Sequence, residues 1–433
     1  MQYLGSTPRI RWSVVTLAAA LAAPLASAAA QDEGREDVPE PPAARAWSME
    51  SAMDRAASTA PSVRAAAARL AIAESHREHA AMPVLRNPIV GVRALFGVPD
   101  DAAATYSFFL GIPFDLSSRQ AHRTEETDIL LDEADGQLEL ERIEARARAR
   151  VAAARVAAGQ ASLEIARARL VVAERLLGAT RERLDSGAAT ALDHALVEQE
   201  VSTASANVAA RRRELAAARD ALRAALDLEP TVSVAVEPLT RAEVPEGLTL
   251  ERAIAMAEQR RREPQVLRLS ARRHRVSESR MFADSVSPLV LSAEYELQTN
   301  SQRLSSFGVG ASMELPLFWT AQGDRAVALS EADAADVNAG LAGRIAGREA
   351  AAAYRALRTS LAELRAVEEQ ALPASERALE LTEALRDAGA AEVFRVLLAR
   401  QALFDLRQRR VDLLLAAWLA RAELDRATGG ELR

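Results

Sequence analysis

The chain has 433 residues, with 54 basic and 61 acidic side chains and no cysteine. A formal charge of −7 argues against a nucleic-acid partner, which would ask for a basic face or stripe. The missing cysteine excludes disulfides, thiolate metal sites, thiol nucleophiles and an N-terminal lipid anchor. Every basic residue is arginine, alanine fills about a fifth of the chain and aromatics only 4 %, which points to long helices packed at close range.

At the N-terminus, Arg9 and Arg11 precede an apolar stretch from Trp12 to Leu25, and the small residues ASAAAQ follow. Residues 1–30 therefore read as a signal peptide, since the stretch is too short for a membrane helix and is interrupted by Pro24. Residues 31–46 are acidic and proline-rich and read as a disordered leader.

From residue 47 the chain says the same thing twice. Met49, Glu50, Ala52, Met53 and Ala56 correspond to Leu250, Glu251, Ala253, Ile254 and Ala257. Pro61, Pro88, Pro113, Gly187 and Leu222 then correspond to Pro264, Pro288, Pro316, Gly389 and Leu424, at an offset that stays between 200 and 203. A period this long marks a duplicated domain rather than a solenoid unit. The repeats span 47–228 and 248–430, joined by a linker at 229–247 whose prolines and alternating valines predict extended chain.

Each repeat carries two segments of period two. Val90, Val92, Ala94, Phe96 and Val98 alternate with Gly91, Arg93, Leu95 and Gly97; Tyr106, Phe108, Leu110, Ile112 and Phe114 alternate with Ser107, Phe109, Gly111 and Pro113. In the second repeat Leu289, Leu291, Ala293, Tyr295 and Leu297 form one face, and Phe307, Val309, Ala311, Met313, Leu315 and Leu317 another. The pattern predicts strands at about 89–98, 106–114, 289–298 and 306–317, paired as two hairpins. A soluble sheet with one wet face fits this alternation, and so does a transmembrane barrel with apolar residues toward lipid. The flanking helices look committed to one another, which favours lipid as the cover. Four strands cannot close a barrel, so that reading requires an oligomer: two copies give eight strands and three give twelve.

The remainder is helical. Between Ser117 and Ser186 there is no proline, and seventy helical positions make a rod of about 105 Å. Leu163, Ala166, Leu170, Ala173, Leu177, Thr180 and Leu184 fall at spacings of three and four. So do Val197, Val201, Ala204, Val208, Arg211, Leu215, Ala218 and Leu222, the signature of a coiled-coil seam. LDSGAAT around Gly187 and RDAGAAE around Gly389 are the hairpin tips, and Pro373 should kink the last incoming helix.

This order resembles the TolC-like outer-membrane efflux ducts over essentially the whole chain after the leader. The points of resemblance are Asn87-Pro88 before a strand, Ile112 to Phe114 and Leu315 to Phe318 ending strands, Leu372-Pro373, and the two glycine tips. The resemblance implies a mainly α fold with a transmembrane β-barrel portion: a homotrimer whose twelve strands form one barrel in outer-membrane lipid and whose helices form a periplasmic tunnel. It implies no chemistry and no cofactor. The partners it implies are an inner-membrane pump, of the RND type, and a periplasmic adaptor docking on the tips. There Leu184, Asp185, Gly187, Asp193, Asp387, Gly389 and Val393 are the docking candidates. Asn87-Pro88 and Leu372-Pro373 resemble the cation-efflux branch most. Many relatives carry aspartates just after the second tip glycine, at the tunnel entrance; this chain has Arg395 and Leu398 there, and keeps an acid only at Asp193 of the first tip.

Two other classes remain open. A periplasmic adaptor normally has one helical hairpin flanked by β domains, and a coiled-coil scaffold would leave the apolar strands unexplained. Catalytic motifs are absent, with no HExxH, phosphate-binding loop or serine elbow. His76 and His79 share a helix face at metal-ligand spacing, but two histidines make too few ligands and read as solvated surface, as does Asp193-His194.

Overall fold

The structure is a computed structural model that describes residues 46–82, 87–96, 104–299, 304–388 and 393–430. The signal peptide and nearly all of the leader lie outside the described residues, as do both hairpin turns, strand positions 97 and 98, and Gly389. Element order is the same in the two halves. In the first, α1 (Met49–Thr59) and α2 (Pro61–Ala81) lead to β1 (Ile89–Phe96) and β2 (Ala104–Phe114), then α3 (Arg119–Asp185) and α4 (Ala191–Leu226). In the second, α5 (Leu250–Arg260) and α6 (Arg262–Ser285) lead to β3 (Leu289–Thr299) and β4 (Leu304–Ser312). Then come α7 (Gln322–Ala366), a π-helical turn (Val367–Ala371), α8 (Leu372–Asp387) and α9 (Val393–Ala427).

The first helices of the two halves start on the same chemistry. Ser48 accepts a hydrogen bond from the Ser51 N–H, and Thr249 accepts one from the Arg252 N–H, satisfying one orphan donor at each N-terminus. The 67 residues of α3 make a helix of about 100 Å. Around its middle Ala145, Ala149, Ala152, Ala153, Val156 and Ala157 are buried, because α1, α2, α4, α6 and α9 all pack on this one helix and only small side chains leave room. The expected seams are present: Leu163, Ala166, Ala173 and Thr180 on α3, and Val197, Ala204, Val208, Leu215 and Leu222 on α4, are buried. A seam not anticipated runs down α7, where Ala328, Ala332, Ala335, Ala339, Ala342 and Ala346 recur at three and four and are buried, with α6 the neighbour packed most extensively on that helix.

Pro373 does not simply kink its helix. Five residues of π-helix precede it, and the helix continues into α8 with the proline in its first turn. A proline lacks the N–H for the helical ladder, and the widened turn absorbs the mismatch upstream. The linker is extended as expected and carries one short pairing: the Trp47 N–H donates to the Ala235 carbonyl (2.9 Å) and the Glu237 N–H to the Trp47 carbonyl (3.0 Å). Gln160 of α3 clamps it by bonding both the N–H and the carbonyl of Val236 (3.1 and 3.2 Å).

Two salt-bridged groups tie the halves together. Arg150 of α3 and Asp425 of α9 form a buried ion pair, with Arg421 also on Asp425 at 3.1 Å. Arg119 and Arg123, one helical turn apart on α3, close the carbonyl ends of two other helices. Arg119 donates to the carbonyls of Ala283, Asp284 and Val286 after α6, and Arg123 to those of His79, Ala80 and Met82 after α2. These carbonyls lie at the helix ends, where only those of His79 and Ala283 also accept a backbone N–H, from Met82 and Val286, so one helix fixes the exits of both helices that lead into the strands.

The four strands form one antiparallel sheet in the order β1-β2-β3-β4. Its centre joins the halves, since β2 pairs β3 from Ala104↔Thr299 to Phe114↔Leu289. The fourth strand ends at Ser312, short of the expected 317. Ser312 pairs with Val290, near the start of β3, and past it the partner strand gives way to Ser287-Pro288. The other bounds differ from expectation by two residues at most.

Candidate functional site

The register sorts the sheet into two faces. One row reads Val92, Phe108, Tyr295, Phe307; the next reads Val90, Leu110, Ala293, Val309; a third reads Ile112, Leu291, Ala311. All project to the same side because side chains alternate along each strand. Nothing among the described residues covers them: Val90 is 75 %, Phe307 71 % and Val309 79 % exposed. The opposite face carries Arg93, Ser107, Glu296 and Ser306 in one row and Gly111, Ser292 and Gly310 in another, with Ile89, Leu95, Phe109, Pro113 and Val290 among its apolar exceptions. On the apolar side, Phe96 and Tyr106 stack edge to face at the outer end, while Phe114, Phe318 and Trp319 are exposed at the helical end. An apolar band with aromatics at both rims is what a lipid-facing barrel wall needs. Eleven residues of β2 run about 36 Å, or roughly 25 Å in height at a 45° tilt, enough for a hydrocarbon core.

At the other end of α3 the chain turns at the first tip. Gly187 takes a positive φ of 74°, and its N–H donates to the Leu184 carbonyl while Ala188 donates to Arg183. A left-handed residue closing the helix carbonyls is a role glycine fills without strain. Thr190 and Asp193 then form a capping box. The Thr190 hydroxyl accepts from the Asp193 N–H (3.1 Å), and the Asp193 carboxylate accepts from the Thr190 N–H (3.0 Å) and hydroxyl (2.7 Å). These bonds from Thr190, the side-chain one foremost, hold the Asp193 carboxyl below its usual range, and Arg183 adds to this.

The candidate docking and entrance residues fall at the two tips. Asp185 and Gly187 are exposed, Leu184 is half-buried, and Arg395 and Leu398 are exposed on the first turns of α9. Asp193 closes the capping box at the start of α4. Asp387 ends α8 and Val393 begins α9; Gly389 lies outside the described residues. Sequence reasoning missed four apolar side chains left uncovered here: Leu192 at 68 % exposure, Leu381, Leu385 and Phe394. The signal available was their position outside the three-and-four seam. The tips are joined by a cluster of Leu176, Val197 and Leu397, and by buried Glu200, which accepts from Arg169 of its own hairpin and Gln401 of the other (2.8 Å each). His76 and His79 are exposed and His274 pairs with Glu331; among the described residues no group of three or more potential ligands could hold a metal ion.

A long helical body carrying a sheet with one bare apolar face is the fold of the outer-membrane channels. The outer membrane protein VceC of Vibrio cholerae matches with a TM-score of 0.69 at 19 % identity, over 89 % of this chain and 97 % of that one. The CmeC outer membrane channel of Campylobacter jejuni matches at 0.71 and 12 %, over 88 % and 85 %. The open state of the MtrE outer membrane channel of Neisseria gonorrhoeae matches at 0.64 and 17 %, over 89 % of each chain. No curated protein matches the chain in sequence. Residues 250–430 match the family model described as outer membrane efflux protein.

Proposed function

We propose that this protein is the outer-membrane duct of a tripartite efflux system, conducting substrate passively from an inner-membrane pump through periplasm and outer membrane. The observation that carries this reading is the single register that puts every apolar row on one uncovered face of a sheet whose two edge strands have free backbone edges. In lipid such edges must be paired, and three copies supply twelve strands to close the wall. Val337, Leu341 and Ile345, exposed along α7 at a spacing of four, offer a helical surface for the neighbouring copy. Residues 1–30 direct export, and 47–228 and 248–430 are the two repeats around the linker at 229–247. With no cysteine for a lipid anchor, the barrel wall holds the protein in the membrane.

The tips are the docking surface for a periplasmic adaptor, which links the duct to a pump of the RND type. Exposed Leu192, Leu385, Phe394 and Leu398 beside Asp185 and Arg395 supply apolar and charged contacts. Membrane fractionation tests the core of the proposal: the protein should resist carbonate extraction, sit with outer-membrane markers and cross-link as a trimer. A carbonate-soluble monomer would sink it. Gly187→Val tests the tips, and should leave trimer level and heat resistance intact while adaptor pull-down fails.

A further inference from the structure

We propose that Gly111 is a seat that keeps the Phe109 ring flat against the inner wall of the barrel, so that this pair sets the bore of the channel. The inference rests on the duct reading, which places the polar face of the sheet toward the lumen. Phe109 stands on that face, two residues from Gly111 on the same strand, in a row with Gly91, Glu294 and Gly308. A strand side chain normally stands roughly perpendicular to its sheet. This ring instead folds down along the strand: a β-carbon built on Gly111 would lie 3.0 Å from Phe109 Cζ and 3.1 Å from its Cε1. The ring is thereby half-buried although that face of the sheet is open. The far side of the seat is blocked as well, because the same β-carbon would lie 3.1 Å from Val290 Cγ1.

A methyl group at position 111 would therefore be wedged between the ring and Val290, with backbone behind it. The ring would give way by lifting from the wall into the lumen. Just beyond the seat, on the same face, lies a hollow of about 620 Å³ lined by Ile89, Pro113, Val290 and Glu314, so the lifted ring would swing over its rim. Closure by three copies repeats this three times around one ring of the pore. Pore diameter and the groups that line it govern what passes, so three raised phenyl rings would narrow the passage. The neighbouring glycines provide controls. At Gly91 a β-carbon would meet Phe109 only at 3.8 Å, an ordinary contact, and at Gly308 it would meet nothing within 4 Å.

The experiment is single-channel conductance in planar bilayers, with the size of polyethylene glycol that enters the pore as a second readout. Gly111→Ala should lower the conductance and the polymer cut-off, while Gly91→Ala and Gly308→Ala leave both unchanged. Adding Phe109→Ala to Gly111→Ala should restore wild-type conductance, which also shows that the alanine does not spoil the wall. Unchanged conductance in Gly111→Ala, or a double variant as low as the single one, would overturn the proposal. A wild-type protein that forms no channel would instead overturn the duct reading on which it rests.

Discussion

Along the α7 alanine seam and the α3–α4 seam, inward-facing rows find their cover within the same chain; along the sheet, the rows from Val92 to Phe307 find none. The helical body is complete as a monomer at those seams, with alanines set where helices approach. The sheet is complete only in its hydrogen bonds between strands, and none of the described residues covers its greasy face or pairs its two edges. The difference locates where the environment enters the fold. Stability of the body is a matter of internal packing and paired charges, and in the duct we propose stability of the sheet depends on lipid and on other copies.

Substitutions in each region should therefore respond differently to lipid. The largest effect should come from the body: Asp425→Ala leaves Arg150 buried beside Arg421 without its carboxylate. We expect a loss of about 3–5 kcal/mol, read from denaturant midpoints with lipid or without it. Next is Leu291→Arg or Val309→Arg, costing about 2–4 kcal/mol of insertion at mid-membrane but little before insertion. Ser292 and Ser312, on the other face, should tolerate polar substitution. Equal loss of outer-membrane insertion from both sets would mean the faces are reversed. Ala339→Leu, in the α7 seam at 2 % exposure, should overpack the contact and cost about 1–3 kcal/mol, again without regard to lipid. If its cost appeared only after membrane insertion, the body would not be self-sufficient.

The smallest effect is at the first tip. Thr190→Ala removes half of the capping box and should cost about 1 kcal/mol, seen as weaker amide protection over residues 188–196. The pH dependence has a fixed sign. Because the Asp193 carboxyl is held below its usual range, its contribution is present at neutral pH and is lost as the pH falls through the lowered pKa. In acid the difference between wild type and Thr190→Ala should shrink to what the Thr190 hydroxyl contributes by accepting from the Asp193 N–H; an undiminished difference would assign the cap to that bond alone.

Much of this was legible because both regions obey simple periods. Alternation found four strands and their faces, and spacings of three and four found the α3 and α4 seams down to Thr180 and Leu222. What was not legible depends on groups far apart in the chain. No local pattern announces that β2 will pair β3, or that Arg119 and Arg123 will close the carbonyl ends of α6 and α2. The capping role of Asp193 was missed, although Thr190 three residues upstream supplied a partner that could have been recognised. The early end of β4 follows from its neighbour's length, which no residue within β4 encodes. The uncovered Leu192 and Phe394 were hidden by their ordinary identity.

The pairing across the centre of the sheet has a consequence for timing. Phe114 meets Leu289, so the junction closes a chain segment of some 170 residues, which for a flexible chain costs about 5 kcal/mol of loop entropy. Local helical hairpins are cheap and fast, and once α3 and α4 have folded and α6 has packed on α3 the ends of that segment lie together in advance. The two strand hairpins can then meet only after the helical body has formed. The continuous greasy wall thus appears last, which shortens the interval in which an adhesive surface is free in water.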